Sequence, residues 1–396
     1  MSDDLDVLII GAGIQGAGVA QAAAAAGYRV RVIEQRAIAA GTSSRSSKLV
    51  HGGLRYLETH QYALVRKTLQ ERDLLVRIAP ELVKLTPFYI PVYSTTRRRP
   101  GLVRLGLMLY SLLGGLRASS RFRAVPRAEW KQLGIAQGGL LAVYQFWDAQ
   151  TDDEALTRAV IHSAQVLGAE LACPASFASA KVTADRIEVV YRQAEEEVRC
   201  TTRVIVNASG PWVNEVLAGI TPPQPGLAVE LVQGAHIVLD NPPPPGVFYV
   251  EAPQDRRAVF IMPWYDKMLV GTTETVYTGE PGNEAPLAAE IDYLRAVFRH
   301  YFPTLSDQVL ESYAGLRVLP KTAHAPFRRP RDTVLHIGPE RVLSLYGGKL
   351  TGYRATADEV MQRIKRYLPA AEPKADTRTL GLHPVTDDPG CEATSL

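Results

Sequence analysis

The sequence predicts a mixed α/β (α+β) protein, in which a doubly wound, largely parallel unit is interrupted by a mainly antiparallel sheet. Three observations predict it. Val7-Leu-Ile-Ile10 runs into Gly11-Ala-Gly13-Ile-Gln-Gly16 and an alanine-rich stretch ending at Gly27, which reads as strand, tight turn, helix and C-terminal glycine. Arg29 to Glu34 supplies the next strand and completes a βαβ unit. The stretch from about 216 to 310 is rich in β-branched and aromatic residues with prolines between runs, as in an antiparallel sheet.

The remaining elements follow in order. Helical periodicity returns from Tyr62 to Ile78 and stops at Pro80. Residues 85–147 form an excursion of strand-like pieces, a basic and apolar region, and the aromatic run Tyr144, Phe146, Trp147. A helix begins around Thr151, with Glu154 completing a capping box. Arg203 to Asn207 reads as a buried strand; Val342 to Tyr346 as the last strand, followed by a Gly-Gly turn and a helix from about Tyr353 to Arg366. Beyond Pro369 no periodicity remains, and a loosely ordered tail is expected. The division that results is one discontinuous domain of 1–84, 148–215 and 311–369, a second of 85–147 and 216–310, and a tail of 370–396.

Composition narrows the class. The 396 residues suffice for two or three compact units, and 46% hydrophobic against 21% charged residues supports a folded core. Lys plus Arg number 44 and Asp plus Glu 41, so no nucleic-acid partner is expected, and attraction for anions depends on where the basic residues sit. Cys173, Cys200 and Cys391 lie far apart with no CxxC pair. That argues against a disulfide framework or a thiolate zinc site; a reducing cytoplasm and no metal are expected. The acidic start, Met1 to Asp6, lacks a basic and apolar leader pattern, so no secretory signal is expected. A spanning helix needs roughly 20 mostly apolar residues. The best candidate, Leu102 to Leu116, is shorter and carries Arg104.

Chemistry enters at the first turn. A pyrophosphate is held well by a helix N-terminus whose open N–H groups and dipole face the anion, and close approach needs residues without Cβ. Gly11 permits the turn, Gly13 lets the backbone reach the phosphates, and Gly16 allows helix and strand to pack. Glu34, 23 residues after Gly11, can accept from ribose hydroxyls and disfavours a 2′-phosphate. The bland alternative, a glycine-rich turn with no ligand, is opposed by the strand before it, the helix after it and the acidic residue. NAD and FAD both fit at this point. No second GxGxxG follows a strand, so electrons are expected from an organic substrate.

Gly41-Thr-Ser-Ser-Arg-Ser-Ser-Lys-Leu-Val-His-Gly-Gly-Leu-Arg-Tyr-Leu-Glu58 strongly resembles the signature of FAD-dependent glycerol-3-phosphate dehydrogenases, in the D-amino-acid-oxidase-like flavoprotein superfamily. Val206-Asn-Ala-Ser-Gly-Pro-Trp-Val213, Gln233-Gly-Ala-His236, Gly271-Thr-Thr-Glu274, Tyr313-Ala-Gly-Leu-Arg317 and Tyr346-Gly-Gly-Lys-Leu-Thr-Gly-Tyr353 resemble further segments of that family, in the family's order. The resemblance implies a Rossmann-like FAD-binding domain with a mainly antiparallel β-sheet substrate domain. It implies oxidation of sn-glycerol 3-phosphate to dihydroxyacetone phosphate, with hydride passed to the flavin and electrons onward to quinone or another acceptor.

For FAD the resemblance implicates Gly11, Gly13, Ile14, Gln15, Gly16, Glu34 and Gln35 at the first turn, and Thr42, Ser43, Ser44, Ser47, Lys48, Leu49, His51, Gly52 and Gly53 in the signature. It adds Ala208, Gly210, Trp212 and Arg317, and the closing turn Gly347, Gly348, Lys349, Leu350 and Thr351. Arg55, Tyr56, Thr272 and Arg317 are the implied substrate contacts, with His236, Arg55, Arg317 and Lys349 in catalysis.

Each implied role has a physical reason. An arginine fork binds phosphate oxygens bidentately; a surface ion pair is the bland reading for either arginine. A neutral imidazole at His236 can take the hydroxyl proton, which would slow flavin reduction as pH falls through about 6 to 7; a core histidine is its bland reading. Gly347-Gly348 opens a helix whose N–H groups, with Lys349, can face negative charge building on the flavin. A P-loop reading of that turn fails because Leu343 stands where glycine is required.

Other readings stay open beside this one. An amine or amino-acid oxidase on the same fold would use an arginine for a carboxylate, and a non-catalytic flavoprotein would reduce no substrate. Longer members of the family carry an additional C-terminal helical domain, and Pro320 to Arg331 departs from the family's wording. Arg97-Arg98-Arg99 precede the helically spaced Leu102, Leu105, Leu109, Leu112, Leu113 and Leu116, beside Tyr110 and Arg117. That pattern suits a helix lying on the inner face of an anionic membrane, or equally an ordinary helix buried between sheets. A homodimer is the assembly left open.

Overall fold

The computed structural model describes residues 4–321, 333–338, 341–385 and 391. Its first sheet runs Ile220–Thr221, Ala175–Val182, Ile187–Gln193, Glu196–Asn207, Asp4–Ile10, Val30–Ile33, Glu170–Ala172. Val342–Tyr346 lies parallel to the end of Glu196–Asn207 and carries Val334–Ile337 antiparallel on its other side. In the parallel centre, Val7 pairs with Val30 and Val204, and Ile10 with Ile33 and Asn207. These strands are covered on both faces, which is why they read as unbroken apolar runs without alternation.

Seven α-helices occur among the described residues: α1 Ile14–Ala25, α2 Tyr62–Ile78, α3 Pro100–Leu113, α4 Asp153–Val166, α5 Val213–Ala218, α6 Ala288–Tyr301 and α7 Tyr353–Ile364. Alanine is both the best helix former and small, so α1 is buried on nearly every side, between α4 and α7. The helix expected from Thr151 starts two residues later. Thr151 ends the strand Leu140–Thr151 and donates its hydroxyl to Leu82 O at 2.8 Å, so the cap falls to Asp152, whose carboxylate accepts from Glu154 N at 3.0 Å and Ala155 N at 3.1 Å.

The second sheet runs Thr275–Tyr277, Val229–Leu239, Lys267–Gly271, Ala258–Trp264, Val247–Glu251, Val83–Tyr93, Leu140–Thr151, Leu49–Val50. Val309–Pro320 adds to Val229–Leu239 and Phe122–Ala124 to Leu140–Thr151. Its pairings are antiparallel except for Val247–Glu251 on Val83–Tyr93. The helix α6 packs Leu294, Val297, Phe298 and Tyr301 against Ile237, Phe248 and Val270 of this sheet. Leu49–Val50 and all of Val309–Pro320 beyond residue 310, which the sequence division assigns to the first domain, pair here. Both are places where the chain reaches from one sheet to the other.

The amphipathic stretch is α3, and it is half-covered. Val103, Leu107 and Tyr110 are buried, while Leu102, Leu105, Met108, Leu112 and Leu116 are more than half exposed. A helix enclosed between two sheets is therefore not what forms. Among the described residues no helix is long and apolar enough to cross a membrane.

Two expectations change at the C-terminus. Cys173 and Cys391, 218 residues apart, are joined as a disulfide, with Cα atoms 5.4 Å apart. Local cysteine spacing, on which a disulfide was set aside, carries no information about so distant a pair. Residues 370–385 form neither helix nor strand, yet they are bonded to the domain. Lys374 N donates to Ala25 O at 2.7 Å, Lys374 Nζ to Leu167 O at 2.6 Å, and Leu382 N to Ile78 O at 2.7 Å. The segment thus supplies donors to carbonyls at the C-terminal ends of α1, α4 and α2, which have no partner within their own helices.

Candidate functional site

Between the two sheets lies a cavity of 540 Å³. Glu34, Arg36, Phe177 and Trp212 line one part of it, the turns at Gly11–Gly13 and Gly347–Thr351 another, and Arg55, Tyr56, His236, Tyr249, Thr272 and Arg317 a third.

The turn after the first strand has the shape a dinucleotide needs. Gly11 has φ +103°, and a Cβ there would stand 2.7 Å from Ala208 O. The Glu34 carboxylate is held beside the turn, accepting from Ala12 N at 2.8 Å and from Arg36 N at 2.9 Å. The start of α1 opens on the cavity, where Ile14 N donates to Ser43 Oγ at 2.9 Å. Arg36 lies 5.3 Å from the Trp212 ring centroid. Helix terminus, Cβ-free turn and acidic residue therefore fit a pyrophosphate and its ribose.

Strand register assembles the other end. His236 stands opposite Gly271 on one side and Tyr313 on the other, and four residues earlier on the same strand Val232 stands opposite Arg317. Two glycines make this possible by close approach. A Cβ at Gly234 would lie 2.6 Å from Arg317 Nη2, and one at Gly271 would lie 2.7 Å from His236 Nε2. Arg317 donates from Nη2 to Thr272 Oγ1 at 3.0 Å and from Nη1 to Thr273 O at 3.4 Å. Burial pulls the Arg317 guanidinium down to about 10; Tyr56 opposes that shift and the charge of Arg55 adds to it. A guanidinium so desolvated, with a second one beside it, is a seat for an anion.

The His236 ring stacks on Tyr313 with centroids 4.9 Å apart, and its Nε2 is 3.0 Å from Ser47 Oγ. Burial, then the charges of Arg317 and Lys48, drive the imidazole down to about 3. It is neutral throughout the ordinary pH range, so the acid limb expected between pH 6 and 7 moves far below it. The sign for stability follows. An unfolded histidine titrates near 6.5, so folding is favoured fully above that pH and loses about 1.4 kcal/mol per unit as pH falls toward the folded value. Denaturant titrations between pH 6.5 and 4.5 should show a steeper loss of stability for the wild type than for His236→Gln. Equal slopes would mean that the ring titrates normally.

The closing turn meets the signature from the other side. Lys349 Nζ lies 3.9 Å from the Tyr56 ring centroid, Gln15 Nε2 donates to Lys349 O at 3.2 Å, and His51 N donates to Thr351 Oγ1 at 3.0 Å. Of the residues expected at the site, all line the cavity except Gly16, Ser44, Lys48 and Gly52. Gly16 packs against Gly11, and Ser44 Oγ donates to Gly41 O at 3.3 Å. Lys48 turns away from the cavity to Asp153, with Nζ 2.6 Å from its carboxylate and 5.0 Å from the Trp264 ring centroid. Gly52 N is held by Tyr110 Oη at 3.0 Å and Asp148 Oδ1 at 3.3 Å.

Arg36, Asp148, Tyr249, Arg257, Phe260 and Glu274 line the cavity without having been expected there. Glu274 closes the Gly271-Thr-Thr-Glu274 motif, and alternation along 247–264 could have pointed to Tyr249 and Phe260; the others carry no local signal. Pro320 lies on the strand Val309–Pro320 and Lys321 beyond it, while 322–331 of the divergent segment lie outside the described residues.

A family profile described as FAD dependent oxidoreductase matches residues 6–354. The chain is 33% identical to a glycerol-3-phosphate dehydrogenase of Synechocystis sp., over 99% of this chain and 74% of that protein. It is 35% identical to a D-erythritol 1-phosphate dehydrogenase of Brucella abortus, over 92% of this chain and 74% of that one. Among solved structures, a glycerol-3-phosphate dehydrogenase from Bacillus halodurans complexed with FAD superposes with a TM-score of 0.74 at 25% identity, over 96% of this chain and 68% of that one.

Proposed function

The chain belongs to the FAD dependent oxidoreductase family, and from that premise we propose that it oxidises sn-glycerol 3-phosphate to dihydroxyacetone phosphate. Bound FAD supplies the two-electron acceptor for the carbinol hydride. The observation that carries the substrate reading is the pair of guanidiniums, Arg55 and Arg317, in the same cavity as the dinucleotide turn. Their forks suit phosphate oxygens, and Thr272 Oγ1 accepts from Arg317 Nη2 at 3.0 Å. His236 is neutral before the reaction and would accept the hydroxyl proton on an imidazole nitrogen, becoming imidazolium; Ser47 Oγ, 3.0 Å from Nε2, orients the ring. Lys349, over the Tyr56 ring, adds positive charge at the turn that opens toward the cofactor.

Anaerobic titration of the holoenzyme tests the reading directly. Glycerol 3-phosphate should bleach the flavin, and alanine or glycine should not. Bleaching by an amino acid alone would move the protein to the amine oxidases. D-erythritol 1-phosphate belongs in the same panel because of the Brucella abortus relative.

The electrons are proposed to leave to quinone at an anionic membrane surface, with α3 as the contact. Leu102, Leu105, Met108, Leu112 and Leu116 form an exposed apolar stripe, and Arg97, Arg99 and Arg104 are exposed at the same end of the helix. Holoenzyme should co-sediment with vesicles containing anionic lipid at low salt, and Leu105→Asp with Met108→Asp should release it while leaving flavin content unchanged. Wild-type protein remaining in the supernatant at low salt would remove the membrane contact.

A further inference from the structure

Arg98 behaves unlike its two neighbours. Arg97 and Arg99 are exposed, whereas Arg98 turns inward and binds two carboxylates. It donates from Nε to Glu58 Oε1, from Nη2 to Glu58 Oε2 at 2.9 Å, and from Nη1 to Glu251 Oε2 at 3.3 Å. Arg97 N adds a bond to Glu251 Oε1 at 2.9 Å.

Glu58 is three residues beyond Arg55, and both lie in the 3₁₀ segment Leu54–Thr59. With three residues per turn, side chains at i and i+3 eclipse one another. The nearest cation for Glu58 within its own segment is therefore Arg55, the arginine proposed to hold the substrate anion. A carboxylate on the same turn is a permanent competitor, because a tethered partner acts at a high effective concentration. Bonding to Arg98 is the largest influence holding the Glu58 carboxyl below its ordinary range, and the charge of Arg55 acts on it in the same sense.

We infer that Arg98 is a positioning residue for the anion site: by engaging both oxygens of Glu58, it keeps that carboxylate from competing with the substrate's phosphate for Arg55. The inference rests on the assignment of Arg55 as an anion anchor. The loss of Arg98 acts on ground-state binding. At saturation the substrate displaces Glu58, so KM changes and kcat does not.

The experiment uses the flavin-loaded holoenzyme and two probes, inorganic phosphate, followed by the perturbation of the flavin spectrum, and glycerol 3-phosphate in steady state. Arg98→Gln should weaken phosphate binding and raise KM by about two- to fivefold, the span expected of one exposed ion pair gained by a competitor, with kcat within about 1.5-fold. Glu58→Gln in the same chain should restore both quantities, since the competitor is gone.

Arg98→Gln without effect on either probe would overturn the inference. So would a double variant as impaired as the single one, which would make Arg98 only a brace for residues 54–59. Wild-type holoenzyme that fails to bind phosphate at all would overturn the Arg55 anchor, and this role with it. That result is distinct from a failure at Arg98 alone.

Discussion

Arg317→Ala is expected to reduce kcat/KM for glycerol 3-phosphate by at least about 30-fold, while the protein still purifies with its flavin. Removing one partner of a buried, charged hydrogen-bonded contact costs about 2–5 kcal/mol, and each 1.4 kcal/mol is a factor of ten. Arg317 is desolvated and held by Thr272 and Thr273, so its removal leaves that end of the cavity without its fixed fork. Arg317→Lys should recover only part of the loss, because an ammonium cannot reproduce the planar fork. Steady-state kinetics with a flavin-to-protein ratio settles the matter. If the variant purifies without flavin, Arg317 belongs to the cofactor's seat and the anchor falls to Arg55 alone.

Gly11→Val is expected to yield a folded protein without FAD. The position requires φ +103°, which costs an L-residue about 1–3 kcal/mol, and its Cβ would meet Ala208 O at 2.7 Å. Relief comes only by moving the turn away from Ala208, which carries the N-terminus of α1 off the pyrophosphate. Flavin content after gel filtration should fall to near zero, with far-UV circular dichroism close to wild type. Retention of stoichiometric flavin would show that the cofactor is held elsewhere in the cavity.

What could be read beforehand follows the range of the interactions involved. The Gly11 turn, Glu34 and the limits of α2 are local matters, set by glycine spacing and by helical periodicity over Tyr62–Ile78, and they form as expected. His236 and Arg317 come together through cross-strand register, so only resemblance to known sequences could pair them. Lys48 stood among cofactor residues because of its place in the signature. Its φ of +58° breaks the strand alternation there and turns the side chain to Asp153 instead. Arg98 had been one of three equivalent arginines until Glu58 and Glu251, distant in sequence, distinguished it. The disulfide was illegible for the same reason, with 218 residues between its cysteines.

The bonds made by residues 374–382 bear on how the chain is synthesised. The first helix of the molecule receives its terminal partners from Lys374 and Ala375, and α2 receives one from Leu382. The central strands of the first sheet likewise wait for Val342–Tyr346. A nascent chain that has exposed only its first βαβ unit therefore has the phosphate-binding turn but no finished layer around it, and the cofactor seat closes only once residues 342–382 have left the ribosome. Slow translation between α2 and residue 382 would lengthen the time that α1 and α2 spend with frayed ends, and that interval is when the unfinished sheet is most exposed to aggregation.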